Sequence, residues 1–151
     1  LCLADFFLPV TAGRRDTVAF HLVTVGSEVS VKEREHFAKG EFREYLQVHG
    51  MGVEMAEALA EYWHLQIRRE LGIDDAEPDD RRLLFSAKYH GARYSFGYPA
   101  CPNLEDQSKL MRLLKPDRIG VALTDEFMLE PEQSTSAIVV HHPAAKYFNV
   151  K

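Results

Sequence analysis

The segment Arg93-Tyr94-Ser95-Phe96-Gly97-Tyr98-Pro99-Ala100-Cys101-Pro102 combines residue types that point to chemistry. Pro99 and Pro102 fix the backbone and remove two amide donors, so the segment is expected to be neither a helix nor a central strand. Gly97 permits a positive φ or a close backbone approach. A stiff, exposed loop is expected, offering one guanidinium, several aromatic faces and bare carbonyl groups. Such a loop suits a ligand with a carboxylate and a flat ring, because arginine pairs with a carboxylate through two parallel bonds. The same spacing equally describes a rigid corner whose arginine pairs at the surface, and spacing alone leaves both readings open.

Other reactive side chains point less clearly. His141 and His142 are adjacent, so in a strand they face opposite ways and cannot easily chelate one ion together. A metal site that adds Cys101 or His90 is the weaker alternative, and no metal is expected. Cys101 is flanked by Pro99 and Pro102 with no positioned base in the sequence, which argues against a nucleophile.

The elements that must position these groups follow from periodicity. Thr17–Val25 is rich in β-branched and aromatic residues and predicts a strand, central because its apolar run is nearly continuous. Ser30-Val31-Lys32-Glu33 fits a capping box at the start of a helix reaching Lys39. Phe42, Tyr45, Leu46 and His49 continue at helical spacing after Gly40, and a Gly50-Met51-Gly52 turn leads into the strongest helix, Glu54–Leu71. There Met55, Ala58, Leu59, Tyr62 and Trp63 form the expected buried stripe. The acids Glu54, Glu57 and Glu61 precede Arg68 and Arg69, an order that suits the helix dipole.

Asp74–Asp80 reads as a solvated acidic connector, and Arg81–Tyr89 as a short helix. Asn103 is positioned to cap a helix through Leu114, stopped by Pro116. Ile119–Leu123 and Ser134–His141 predict strands, with Phe127–Leu129 as a third. With irregular alternation, no internal repeat and no visible boundary, the expectation is one α+β domain over residues 1–151, with a mainly antiparallel, twisted central sheet flanked by helices.

Composition narrows the class. The 151 residues are 46% hydrophobic, enough for a packed core and too apolar for disorder. The net charge of −5 comes from 18 basic and 23 acidic residues without a basic stripe, so no nucleic-acid partner is expected. Cys2 and Cys101 lie too far apart in sequence for a disulfide framework, and a reducing cytoplasm is the expected setting. No apolar run approaches a membrane span, and no membrane partner is expected. The first residue is Leu1 rather than Met, so the chain reads as a piece of something longer.

Arginine followed by three residues and Gly97-Tyr98-Pro99-Ala100-Cys101-Pro102 resembles the ligand-binding signature of the activation domain of cobalamin-dependent methionine synthases. Leu3-Ala4-Asp5-Phe6 resembles that family's N-terminal binding segment, and Glu54–His64 its long helix. Leu123-Thr124-Asp125-Glu126-Phe127 and His142–Phe148 resemble two later stretches, so the likeness runs from residue 3 to residue 148. The resemblance implies S-adenosylmethionine as ligand. It assigns Asp5 to the ammonium or sulfonium charge, Arg93 to the carboxylate, and Tyr147 and Phe148 to the adenosine. Glu57 falls on a family acid near the site and equally fits a plain helix-face carboxylate. Phe148 stands where many relatives have a second tyrosine, Ala87 where some place an acid, and Tyr94-Ser95-Phe96 replaces the usual Pro-Ala-Pro.

The resemblance further implies a domain that presents the methyl group of S-adenosylmethionine to cobalamin held by a neighbouring domain, so it implies no catalytic residue in this chain. The electron would arrive from a flavodoxin-type or reductase donor. The chain lacks the Asp-X-His-X-X-Gly cobalamin motif and a glycine-rich dinucleotide fingerprint, so the corrin is expected elsewhere in a larger methyltransferase, and not on the commonest methyltransferase fold. Two rivals remain at this stage. One is a docking module for the cobalamin domain and electron donor; the other is a binder of a different amino-acid or nucleoside ligand.

Overall fold

The structure, a computed structural model, describes residues 1–73 and 89–148. The acidic connector and all of the expected Arg81–Tyr89 helix except Tyr89 lie outside the described residues. The chain packs as two compact units: unit 1 comprises Leu1–His21, Trp63–Asn103 and Ala137–Lys151, and unit 2 comprises Leu22–Tyr62 and Leu104–Ser136. Each unit is assembled from sequence-distant pieces, which is why no linker or composition shift marks a boundary.

Among the described residues, three α-helices and five strands make an α+β architecture. In chain order they are β1 (Ala19–Thr24), α1 (Ser27–Ala38), α2 (Phe42–Glu70), β2 (Ala92–Ser95), α3 (Gln107–Leu114), β3 (Ala122–Leu123), β4 (Leu129–Glu130) and β5 (Ser134–Val140). The main sheet has the order β1-β5-β2, and β2 runs antiparallel to β5 with Arg93 opposite Val139 and Tyr94 opposite Ile138. β3 and β4 form a separate antiparallel pair.

The central strand is therefore β5 and not β1. Burial explains the difference: Ala137, Val139 and Val140 are almost fully buried, so both faces of β5 are covered, whereas β1 buries only His21 and Val23, on alternate positions.

In unit 2, two sequence expectations are corrected around one residue, Gln133. Helix α1 begins at Ser27 behind Gly26, so Ser30 and Glu33 lie inside it and form no capping box. The Ser30 hydroxyl instead donates to Gln133 Oε1 at 2.8 Å, and Gln133 Nε2 donates to the buried Glu33 carboxylate at 2.7 Å. The second expectation, a turn at Gly50-Met51-Gly52, fails because α2 runs unbroken through both glycines. Glycine costs a helix about 1 kcal/mol relative to alanine. At Gly52, however, a Cβ would lie 2.8 Å from Gln133 Cγ and from Val29 Cγ1, so the helix needs glycine to approach this closely.

The third correction concerns the buried stripe. Met55, Tyr62 and Trp63 are exposed, and the buried positions of α2 are Gly52, Ala56, Ala60, His64 and Arg68, spaced four apart. The large apolar residues suggested the wrong face: close packing selects small residues at Gly52, Ala56 and Ala60, and the same face goes on to bury His64 and Arg68.

The rest of unit 2 keeps the expected order with shorter elements. Leu104–Asp106 forms a 3-10 turn before α3, and Lys115 ends α3 in the left-handed region ahead of Pro116. A second 3-10 turn, Pro116–Ile119, takes the first residue of the expected Ile119–Leu123 strand, Gly120 follows in the left-handed region, and β3 is two residues long. Gln107 ties the unit together, donating to the Phe127 carbonyl at 2.8 Å and accepting from Ser136 at 2.7 Å.

Candidate ligand-binding site

All four residues assigned to the ligand, Asp5, Arg93, Tyr147 and Phe148, fall in unit 1. Asp5 lies in the 3-10 turn Leu3–Phe6, where its exposed carboxylate accepts from the Cys2 amide at 2.7 Å. That bond orients the carboxylate outward while the next residue, Phe6, turns into the core.

Arg93 sits on strand β2 and not in a loop, which corrects the sequence reading of the Arg93–Pro102 segment. The prolines exclude a strand only from Pro99 onward. Ala92–Ser95 precede them and pair freely, and β2 occupies the sheet edge. The expected turn follows: Gly97 adopts φ 83°, its amide donates to the Cys101 carbonyl at 2.9 Å, and the Cys101 amide donates to the Tyr98 carbonyl at 2.8 Å. Tyr98 and Pro99 are exposed at its tip, while Ala100 and Cys101 are buried.

Strand alternation divides the residues of β2 between two faces. Tyr94 and Ala92 face an apolar cluster with Phe6, Ala100, Val140 and Ala145, against which Phe148 packs. The Tyr94 ring stacks on Phe6 at 6.2 Å and meets Phe148 at 5.9 Å, while Phe6 meets Phe148 at 6.3 Å. The Tyr94 hydroxyl donates to the Lys146 carbonyl at 2.8 Å. Burial pushes the Tyr94 hydroxyl up to about 12 despite that bond, so it remains a donor through the neutral range. The structure thus joins Phe6, Tyr94 and Phe148, neighbours or members of the predicted set. Tyr147 stays exposed beside them, and Arg93 belongs to the opposite face of β2.

That opposite face is basic and buried. His21 and His64 are both buried, and no ring nitrogen of either has a hydrogen-bond partner. The Arg68 guanidinium lies 3.9 Å over the Tyr89 ring, and His64 meets the same ring edge-on at 5.2 Å. Burial, aided by the Arg93 charge, holds His21 down at about 4. Burial with Arg68, Arg93 and His21 holds His64 at about 2. Both imidazoles are neutral in the folded protein at pH 7.

The sign for stability follows directly. An unfolded chain protonates both histidines below about pH 6.5, whereas the folded chain resists until about 4 and about 2. Stability is complete above 6.5 and falls on acidification, by about 1.4 kcal/mol per pH unit for each imidazole. Urea midpoints measured at pH 7 and pH 5 are expected to show a clear drop at pH 5. A midpoint unchanged between them contradicts the buried, neutral assignment.

Sequence reasoning missed Asp16. Its carboxylate accepts from the Leu8 and Thr17 amides, each at 2.9 Å, and meets His141 Nε2 at 3.1 Å. The backbone bonds from Leu8 and Thr17, with smaller help from His141, hold its carboxyl below the usual value. Asp16 therefore fastens the N-terminal segment that carries Asp5 to the residue just past β5. Its partners are 8 and 125 residues away, so only the local Asp16–Thr17 turn was legible. His142 faces elsewhere, its Nδ1 accepting from the Ala144 amide at 3.1 Å and its ring lying 5.8 Å from Phe6.

Glu57 is half-buried on the part of α2 that belongs to unit 2. The same unit holds a group absent from the sequence reading, Glu33, His49 and Glu132, whose ligand-type atoms lie within 4.8 Å of one another. The Glu33 carboxylate there is satisfied by Gln133 at 2.7 Å and by His49 at 3.2 Å. Neither His141, His142, His90 nor Cys101 belongs to a comparable group among the described residues.

The fold is α+β, with an edge strand β2 that carries Arg93 on one face and packs Tyr94 against Phe6 and Phe148 on the other. The family model for the vitamin B12 dependent methionine synthase activation domain matches residues 1–151, and the chain belongs to this family. It is 49% identical over 160 residues to the methionine synthase of Mycobacterium tuberculosis (strain ATCC 25618 / H37Rv), and equally to that of Mycobacterium leprae (strain TN). In both cases 99% of the chain is covered and only 13% of the relative. A crystal structure of the MetH reactivation domain bound to AdoHcy superposes with a TM-score of 0.92 at 31% identity. That match covers 98% of this chain and 46% of the solved one. No helix among the described residues is long and apolar enough to cross a membrane.

Proposed function

We propose that this activation domain binds S-adenosylmethionine along the edge of β2. The observation that carries the reading is the contact among Phe6, Tyr94 and Phe148, which draws together the three segments bearing Asp5, Arg93 and Tyr147. Arg93 and Phe148 are each only partly buried, so both can be reached at the edge of β2. A ligand lying along it meets the Arg93 guanidinium from one face and the aromatic groups from the other. Arg93 supplies the fork for the ligand carboxylate. The outward carboxylate of Asp5 complements the ammonium or sulfonium charge, and exposed Tyr147 with Phe148 offers aromatic surface to the adenosine. This donor set fits a zwitterion with a cationic sulfur and a flat base. The binding of AdoHcy by the solved reactivation domain supports the same reading.

When bound, S-adenosylmethionine supplies an activated methyl group. The chain's own contribution is orientation and charge complementarity, so no catalytic base is assigned. In the whole methyltransferase the domain would serve reactivation of oxidised cobalamin in methionine biosynthesis. The cobalamin domain would be its neighbour on the same polypeptide and a flavodoxin-type or reductase protein its electron donor, within the cytoplasm. Calorimetric titration of the folded chain with S-adenosylmethionine is expected to show saturable binding. No heat from a folded sample overturns the reading and favours a docking module.

A further inference from the structure

We propose that Tyr94 is a positioning residue for the ligand, clamping the Tyr147-Phe148 segment against β2; this rests on the S-adenosylmethionine reading above. Tyr94 is 1% exposed, so its ring cannot serve as a ligand surface. Its hydroxyl instead donates to the carbonyl of Lys146, the residue immediately before the aromatic pair, 52 positions along the chain. Among the described hydrogen bonds involving side chains, this one joins β2 to the C-terminal segment.

The ring acts with the hydroxyl. Phe6 stacks on one side at an interplanar angle of 21°, and Phe148 meets it tilted at 58°. One side chain therefore contacts the segment after Asp5, the strand that carries Arg93, and the segment that carries Tyr147. The Lys146 carbonyl would otherwise have to be satisfied by solvent, leaving Tyr147 and Phe148 free to sample other positions. Holding them in place before the ligand arrives lowers the ordering cost of binding.

Tyr94→Phe keeps the ring and removes only the hydroxyl. The variant is expected to bind S-adenosylmethionine about three- to tenfold more weakly, the range set by one net hydrogen bond. Positioning is separated from a general structural role by a double-mutant cycle with Phe148→Leu. If Tyr94 acts through the aromatic segment, its substitution should cost little further affinity once Phe148 is replaced. Additive losses overturn the proposal, as does unchanged affinity in Tyr94→Phe alone. In the unaltered chain, amide exchange at Tyr147 and Phe148 is expected to be slow already before S-adenosylmethionine is added. Fast exchange there that only the ligand slows overturns the clamp even if a variant fails to fold. A wild-type chain that binds no S-adenosylmethionine sinks both this proposal and the reading beneath it. Wild-type binding with an indifferent Tyr94→Phe sinks this one alone.

Discussion

Arg93→Ala is expected to weaken S-adenosylmethionine binding by about ten- to a hundredfold. A hydrogen bond to a charged group contributes roughly 1.5–3 kcal/mol, and each 1.4 kcal/mol is a factor of ten in affinity. The arginine lies on the edge strand β2, opposite Val139 of β5, where the backbone fixes its direction and lost contacts cannot easily be replaced. Arg93→Lys keeps the charge but loses the planar fork, so an intermediate loss is expected. A ligand without the amino-acid portion, 5′-methylthioadenosine, should bind wild type and Arg93→Ala equally well. Titration calorimetry of the three proteins with both ligands checks this, and equal losses for both ligands would show that Arg93 supports the fold rather than the carboxylate. Because Arg93 also helps keep His21 and His64 neutral, unfolding temperatures must be compared alongside.

Gly91→Ala is expected to destabilise the fold by about 2–4 kcal/mol. Gly91 adopts φ +82°, where an L side chain is strained. An added Cβ would also lie 2.7 Å from the Val140 carbonyl oxygen, and backbone cannot swing aside as a flexible side chain can. Either the turn opens or β2 separates from β5 at the Ala92–Val140 pair, and both displace Arg93 and Tyr94. Urea unfolding of the variant tests this. A midpoint within experimental error of wild type means that the approach of Gly91 to β5 is looser than described.

Local signals carried much of the fold. β-branched density located β1 and β5, and the Pro116 stop located the end of α3. What sequence could not show was the effect of residues far apart on one another. Gln133 recruits Ser30 and Glu33 from a distance of 100 residues or more, which turned an apparent capping box into a buried polar network. It also crowds Gly52, which converted an apparent turn into the middle of a 29-residue helix. The buried side of α2 was misread for a related reason: Ala56 and Ala60 are buried because they are small, while Met55 and Trp63 remain at the surface.

The candidate site was legible in outline only. The Arg93–Pro102 segment stood out because prolines, a glycine and aromatics are dense there, yet pleating sends Arg93 and Tyr94 to opposite faces and no spacing rule for a loop foresees that. Asp16 was invisible because its partners, Leu8 and His141, are recognisable only after the segments meet. Tyr94 is a similar case: it reads as one more aromatic in a loop until its hydroxyl is found on Lys146.

Binding of S-adenosylmethionine along the β2 edge, between a guanidinium and an aromatic group, is tested most directly by a crystal structure of this chain grown with S-adenosylhomocysteine. The ligand carboxylate is expected on Arg93, its adenosine against Tyr147 and Phe148, and the Tyr94 hydroxyl still on the Lys146 carbonyl. A ligand seated away from β2, or crystals saturated with ligand that hold none there, would contradict that placement.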